Sequence, residues 1–288
     1  MRHAVRISDG LGNQMFQYAF AYALQKRTGD SVKIDPFFFK NGLRKYQLDN
    51  YNISIERLIS KQKDYILGFG PRDGGKFKKA YRNYIINKYY KLVEENKFMQ
   101  FDEEKIYPDV DSFYLGFWQT PKYFDEYYDD LINEFKRVYP LSQEADQLLE
   151  VVKDELSVSL HIRRTDYVGD DFDSSLNFEF YRKALEEITK QIGDFRLFIF
   201  SDDKDYVKNH FDIMPYTLVE GLSDIDEFEI MRNCKHHIMA NSTFSWWATY
   251  LAKDKGGIVF VPSVTCWKDE FYIDKWNKIE TNLIKSRV

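Results

Sequence analysis

Two adjacent arginines close the segment Ser157-Val-Ser-Leu-His-Ile-Arg-Arg-Thr-Asp166, and everything before them reads as a buried strand. Val158, Leu160 and Ile162 alternate onto one face, which leaves Ser159, His161 and Arg163 on the other. Ligands of open α/β sheets bind beyond the carboxyl ends of strands, and guanidinium groups delivered there suit bidentate contact with phosphate or carboxylate. The same residues can instead form a surface cluster in which Arg163, Arg164 and Asp166 neutralise one another. Thr165 and Asp166 are also placed to turn the chain and hold the guanidinium groups.

Three further strand ends carry polar residues. Arg196 to Phe200 runs into Ser201, Asp202 and Asp203, whose carboxylates can accept hydrogen bonds from a nucleobase edge or a ribose, with Asp202 the candidate for the base. Asp203-Lys-Asp205 also matches the Asp-x-Asp pair that holds a divalent ion in many sugar-nucleotide transferases. Chance matches at Asp109/Asp111, Asp171/Asp173 and Asp224/Asp226 weaken that reading. The stretch Asn241-Ser-Thr-Phe-Ser-Trp-Trp247 passes from strand to helix through Ser242, Thr243 and Ser245. These either cap the helix or, with its freed amides, hold phosphate at its positive end. Trp246, Trp247, Tyr250 and Leu251 would anchor that helix in a core. Near the start, Gly10-Leu-Gly-Asn-Gln14 reads as a tight turn that Gly10 and Gly12 permit, aimed at a helix N-terminus. Met15 occupies the third glycine position of a dinucleotide fingerprint, although Asp35 stands where a ribose-binding acid would.

The elements that position these residues alternate between strand and helix. Strands are expected at His3–Ser8, Ser31–Ile34, Ser112–Trp118, Ser157–Ile162, Arg196–Phe200, Tyr216–Val219, His237–Met239 and Ile258–Val261. Helices are expected at Gln14–Thr28, Pro121–Tyr139, Leu141–Asp154, Phe178–Gln191, Lys204–Phe211, Asp224–Asn233 and Thr243–Ala252. Such alternation gives parallel sheets covered on both faces, an α/β fold. From Phe37 to Phe101 the pattern is irregular and rich in Tyr and Lys.

A chain of 288 residues suits two domains of ordinary size, read here as residues 1–150 and 151–288, with a short linker near Tyr139–Ser142. The net charge of −5 argues against a nucleic-acid partner. Cys234 and Cys266 make neither a disulfide framework nor a zinc set, and no secretory pattern opens the chain, so a reducing cytoplasm is expected. No apolar run is long enough to span a bilayer. The Lys-, Arg- and Tyr-rich stretch Lys76–Lys97 is a solvated amphipathic helix or a peripheral contact with anionic lipid. Aromatic residues at 17% fill cores or stack on sugar faces. The motifs of the commonest hydrolases, P-loop kinases and zinc proteases are missing.

Gly10-Leu-Gly-Asn-Gln, His161-x-Arg-Arg-x-Asp, Phe-Ser-Asp-Asp and Asn-Ser-Thr-Phe-Ser-Trp-Trp together resemble the α-1,2-fucosyltransferases of glycosyltransferase family 11. The motifs keep the family's order from residue 10 to 247. The resemblance implies two facing Rossmann-like domains of GT-B type with a donor cleft between them, the first acceptor-side and the second binding GDP-L-fucose. It implies inverting transfer to a terminal galactose, in a free oligosaccharide or a lipid-linked glycan such as an O-antigen repeat, without metal or other cofactor. Carried over residue by residue, Arg163 contacts the β-phosphate, with Arg164 and His161 supporting the same anion. Asp202 reads guanine, and Asn241, Ser242, Thr243, Phe244 and Ser245 grip the pyrophosphate. Gly10, Gly12, Asn13 and Gln14 face the donor from the other domain. Asp166 is the available candidate for a general base, or the counter-ion of the arginines.

Overall fold

The computed structural model describes residues 1–41, 44–58, 80, 83, 84, 86–164, 176–252, 254, 256–263 and 267–281. The chain divides into two units: Met1–Tyr139 with Lys268–Ile273, and Pro140–Trp267 with Asp274–Val288. The division falls before residue 150 because the helix expected to close the first half packs in the second.

The first unit holds a parallel sheet of four strands, β1 (Arg2–Arg6), β2 (Ser31–Asp35), β3 (Lys91–Glu94) and β4 (Ser112–Leu115), in the order β2-β1-β4-β3. Helix α1 (Leu11–Thr28) connects β1 to β2 and is buried almost all round from Leu11 to Leu24. It ends where Gly29 adopts the left-handed conformation (φ 69°) and its N–H closes on the Gln25 carbonyl, with Lys26 and Arg27 at the negative end of the helix. Phe20 stacks on Trp118 at 4.3 Å and meets Tyr114 and Tyr123 edge-on or tilted, so in this unit the aromatic residues build the core.

Two polar residues of α1 are fully buried, and backbone groups of the loops around them explain why. The Gln14 amide donates to the carbonyls of Asp9 and Lys45 and accepts the Gln47 N–H. That of Gln17 donates to Ser8 Oγ and the Gly116 carbonyl and accepts the Ser8 N–H. The helix expected over Pro121–Tyr139 is broken: two 3-10 turns, Pro121–Tyr123 and Asp125–Tyr127, precede a short α2 (Tyr128–Glu134). Phe124 leaves the helical region (φ −147°), and both it and Tyr123 are buried in the core.

The second unit opens with α3 (Gln143–Asp154), N-capped by Ser142, whose hydroxyl accepts the Ala145 N–H. Its sheet contains β5 (Ser157–Ile162), β6 (Arg196–Ser201), β7 (Thr217–Leu218), β8 (His236–Ile238), β9 (Val259–Ser263) and β10 (Asn277–Glu280). Their order is β10-β9-β8-β5-β6-β7, and every pair is parallel. Between the strands lie α4 (Phe178–Ile192), α5 (Lys204–His210), α6 (Asp224–Asn233) and α7 (Thr243–Tyr250), and α3 packs against α6.

Central β5 is buried at every residue, as a parallel strand covered on both faces must be. Val158, Leu160 and Ile162 pack with Phe180, Ala184, Leu185 and Ile188 of α4. On the other face Ser159 Oγ lies 2.8 Å from His237 Nδ1. Strands β3 and β10 escaped the sequence reading because each is short and at least half polar. No helix among the described residues is long and apolar enough to cross a membrane.

Asp35 does not face a ribose site. It is fully buried and receives Arg6 Nε at 3.0 Å and the Phe37 N–H at 3.0 Å, while Arg6 Nη2 lies at 2.9 Å. Removing one partner of a buried ion pair strands the other charge, a cost of about 3–5 kcal/mol. Asp35→Ala is therefore expected to lose about that much stability in urea unfolding; a change below about 1 kcal/mol would show that the pair is not what holds β1 to β2.

Candidate functional site

Parallel strands bring their carboxyl ends to one edge of the second sheet, and neighbouring β8, β5 and β6 each deliver a motif there. The register pairs Ile162 of β5 with Ser201 of β6, so the residues that follow, Arg163–Arg164 and Asp202–Asp203, leave the sheet side by side.

Asp202 spans both arginines. One carboxylate oxygen accepts the Arg164 backbone N–H at 2.9 Å, and the other lies 3.2 Å from Arg163 Nε. Asp203 Oδ2 lies 3.6 Å from Arg164 Nε, while Oδ1 accepts the Tyr206 N–H at 3.0 Å and so caps α5. The Arg164 guanidinium carbon stands 3.5 Å from the centre of the Tyr206 ring, a cation–π contact. Tyr206 in turn stacks on His210 at 4.3 Å and on Phe178 at 5.5 Å. Arg164 is thus built into a column of rings, whereas Arg163 is the more exposed of the two side chains, at 24% against 16%.

The third motif arrives through Met239, Ala240 and Asn241, all buried, which carry β8 into α7. Ser242 is the N-cap, its hydroxyl accepting the Phe244 N–H at 3.3 Å, and Ser245 Oγ donates to the Ser242 carbonyl at 3.3 Å. Both hydroxyls serve the helix start, and Thr243 and Phe244 are half-buried beside them. Trp246, Trp247 and Tyr250 have no exposed surface, with Trp246 stacked on Tyr250 at 4.7 Å, so the aromatic end of α7 anchors it in the core as expected. Phe244 meets His161 at 5.9 Å and Phe228 at 5.3 Å, which sets the helix start beside the end of β5.

Several sequence expectations change at this level. Asp202 and Asp203 are counter-ions of the arginines, and Asp166 and Thr165, also expected there, lie outside the described residues. Asp203 serves Arg164 and the α5 cap, and among the described residues no three His, Cys, Asp or Glu side chains gather as a metal set. Gly10 is extended (φ −73°, ψ 169°) with open space where a Cβ would be, and the left-handed residue of this turn is Asp9 (φ 64°). The tight turn therefore does not depend on Gly10, and Gly12 lies buried inside the first turn of α1. Gln14 holds loop backbone. Asn13 Oδ1 accepts Gln119 Nε2 at 2.7 Å at the carboxyl edge of the first sheet. Sequence reasoning missed Tyr206, whose only signal is its spacing three residues after Asp203, on the first turn of the helix that Asp203 caps.

A strand-end pair of arginines, held by acids of the next strand beside a helix N-terminus, is an arrangement of an α/β protein whose chemistry suits an anionic ligand. The chain belongs to glycosyl transferase family 11, whose model matches residues 2–282, and it is accordingly a glycosyltransferase that draws on a nucleotide sugar. It is 29% identical over 300 residues to the alpha-1,2-colitosyltransferase of Escherichia coli, with 96% of this chain and 98% of that one covered. It is also 29% identical over 304 residues to the O-antigen biosynthesis glycosyltransferase WbnK of Escherichia coli, covering 94% and 98%. Among solved structures it is similar to the fucosyltransferase NodZ from Bradyrhizobium (TM-score 0.48, 13% identity, 86% and 91% covered). A second is the E. coli ADP-heptose lps heptosyltransferase II (TM-score 0.48, 12% identity, 97% and 90%).

Asp202→Ala removes two charge-assisted contacts at once, and hydrogen bonds to charged groups are worth about 1.5–3 kcal/mol. Urea unfolding should show a loss in that range, with Asp202→Asn losing less because it keeps an oxygen for the Arg164 N–H. Equal losses in the two variants would mean that the contact with the Arg164 N–H is not the one that matters.

Proposed function

We propose that this glycosyltransferase moves L-fucose from GDP-β-L-fucose to the 2-hydroxyl of a terminal galactose, with inversion and without a metal or other cofactor. The observation that carries the reading is the arginine pair at the end of β5, pinned by Asp202 and set beside the start of α7. A departing GDP gains charge on its β-phosphate, and the guanidinium of Arg163, aided by α7's positive end, neutralises it where other enzymes use a cation. Arg164, stacked on Tyr206, and His161, beside Phe244, fix the loop that presents Arg163. Asn241, Ser242, Thr243, Phe244 and Ser245 shape the pyrophosphate seat mainly through backbone amides, since both serine hydroxyls cap the helix. Asp202 reaches guanine only if it leaves the arginines, so its first role is to hold them. Within the first unit Gly10, Gly12 and Gln14 shape the loop that carries Asn13.

Acceptors of this chemistry are galactose-terminated oligosaccharides or lipid-linked glycans such as O-antigen repeats, and the likeness to WbnK supports the latter. The enzyme then works in the cytoplasm, and the Lys76–Lys97 stretch provides peripheral contact with the inner face of the membrane. Within it Lys88 Nζ stands 4.8 Å from the centre of the exposed Tyr84 ring. Flotation with anionic vesicles tests that contact, and a protein that stays in the soluble fraction rejects it. A second reading, transfer of colitose, is favoured by the 29% identity to the alpha-1,2-colitosyltransferase.

Turnover with each donor, read as nucleotide release and product linkage, decides between the two sugars. With GDP-fucose, Arg163→Ala should lower kcat about 10²–10³-fold, the scale of losing one preorganised donor to a developing anion. Wild-type rate should persist in excess chelator. Near-normal turnover of a folded Arg163→Ala protein, or activity abolished by the chelator, overturns the assignment.

A further inference from the structure

A closed run of contacts borders the arginine site of the second unit, and it includes an acid that holds no arginine. Arg164 meets Asp203, the N-cap of α5, at 3.6 Å, and Lys204 begins that helix. Lys204 Nζ donates to Glu227 Oε1 at 2.6 Å, which ties the start of α5 to the first turn of α6. Phe228, the next residue, stands 5.3 Å from Phe244 at the start of α7, and Phe244 meets His161 of β5 at 5.9 Å. From His161 the chain runs through Ile162 into Arg163 and Arg164, so the contacts return to their beginning. Every residue among them belongs to the second unit.

Other acids of this border are engaged. Asp202 and Asp203 hold the arginines, Asp226 accepts the Ser223 hydroxyl at 3.0 Å, and Glu229 lies 3.5 Å from Arg232. Glu227 differs. Its side chain is 13% exposed, and its second oxygen takes no hydrogen bond from the described residues. Burial pushes its carboxyl up, while the Lys204 ammonium opposes that rise by favouring the ionised form. A buried acid–lysine pair adds little stability over apolar side chains of the same volume, whereas a perturbed carboxylate beside a strand-end cluster points to recognition or chemistry.

We propose that Glu227 reads the base of the nucleotide donor, its carboxylate accepting both the N1–H and the 2-amino group of guanine. This deepens the donor reading above and rests on it. Guanine presents those two donors side by side on one edge, and an ionised carboxylate, which only accepts, matches them as a pair. Each oxygen accepts more than one hydrogen bond, so Lys204 keeps its place when the base is bound. Adenine sets an unprotonated nitrogen at the same position and meets the carboxylate acceptor to acceptor.

The assignment resolves a conflict at Asp202, because one acid cannot both pin the Arg163 fork and turn to a base. It divides the border by charge: guanidinium groups and the start of α7 serve the diphosphate, and the carboxylate at the start of α6 serves the nucleobase. Lys204 fixes the direction of that carboxylate much as Asp202 fixes that of the arginines.

The test measures binding to the full chain by calorimetry, with GDP, ADP and inosine diphosphate, which lacks only the 2-amino group of GDP. The wild type should bind GDP about 10–100-fold more tightly than inosine diphosphate, the size of one hydrogen bond to a charged group, and ADP more weakly still. Glu227→Gln sets an amide N–H against the 2-amino group and should bring that ratio below about threefold. Arg163→Ala should weaken both nucleotides alike and keep the ratio. A wild-type ratio in Glu227→Gln, with both affinities lowered together or unchanged, overturns the proposal and leaves the donor reading standing. So does a wild type that binds GDP and inosine diphosphate equally. If Glu227→Gln fails to fold, Glu227→Asp decides: it keeps the charge but withdraws the carboxylate by one methylene, and an unchanged ratio there overturns the proposal. A wild type that prefers ADP to GDP refutes the donor reading, and the guanine assignment falls with it.

Discussion

Two guanidinium groups on consecutive residues repel one another and would be held apart by solvent if nothing fixed them. Asp202 fixes them. It takes the Arg164 amide with one oxygen and faces the Arg163 side chain with the other, so a single carboxylate sets both the backbone turn and the direction of the exposed fork. That arrangement exists because β5 and β6 are parallel and in register, Ile162 opposite Ser201; a shift of one residue would turn the acid to the wrong face. The apolar packing of Val158, Leu160 and Ile162 against α4 is what enforces the register, so the core of the second unit and its site are one construction.

The first unit reaches a comparable end by different means. Its sheet is smaller, and the loops at its carboxyl edge are held by side chains buried beneath them. Gln14 and Gln17 bind loop backbone from inside α1, and the Glu95 carboxylate gathers three successive amides. Such loops need no glycine at each bend, which is why Asp9 and Trp118 occupy left-handed conformations there.

Much of the second unit was legible in the sequence. Strand periodicity found β5 and β6, α6 was placed at its observed bounds, and the passage from β8 into α7 could be read from the polar turn before two tryptophans. The contacts of Asp202 with the arginines were not legible, because composition shows an acid at a strand end but not which neighbour lies across the sheet. The first unit was harder: β3 is four residues with no apolar alternation, so the acid that follows it had no strand to mark its position. The run from Pro121 to Tyr139 reads as one helix by spacing, yet the burial of Tyr123 and Phe124 outweighs that preference. Asp35 looked like a ligand-binding acid because the sequence hides its partner: Arg6 is twenty-nine residues earlier yet lies beside it in the sheet.

After β9 the chain leaves the second unit, contributes Lys268–Ile273 to the first, and returns to add β10 at the sheet edge. Phe271 is wholly buried there, against Phe16 of α1, and Glu270 receives the Phe101 amide. During synthesis the amino-terminal unit therefore emerges first yet lacks a piece of its interior until Lys268–Ile273 has followed the second unit off the ribosome. The usual order, in which the leading domain matures before the trailing one appears, is closed to this molecule.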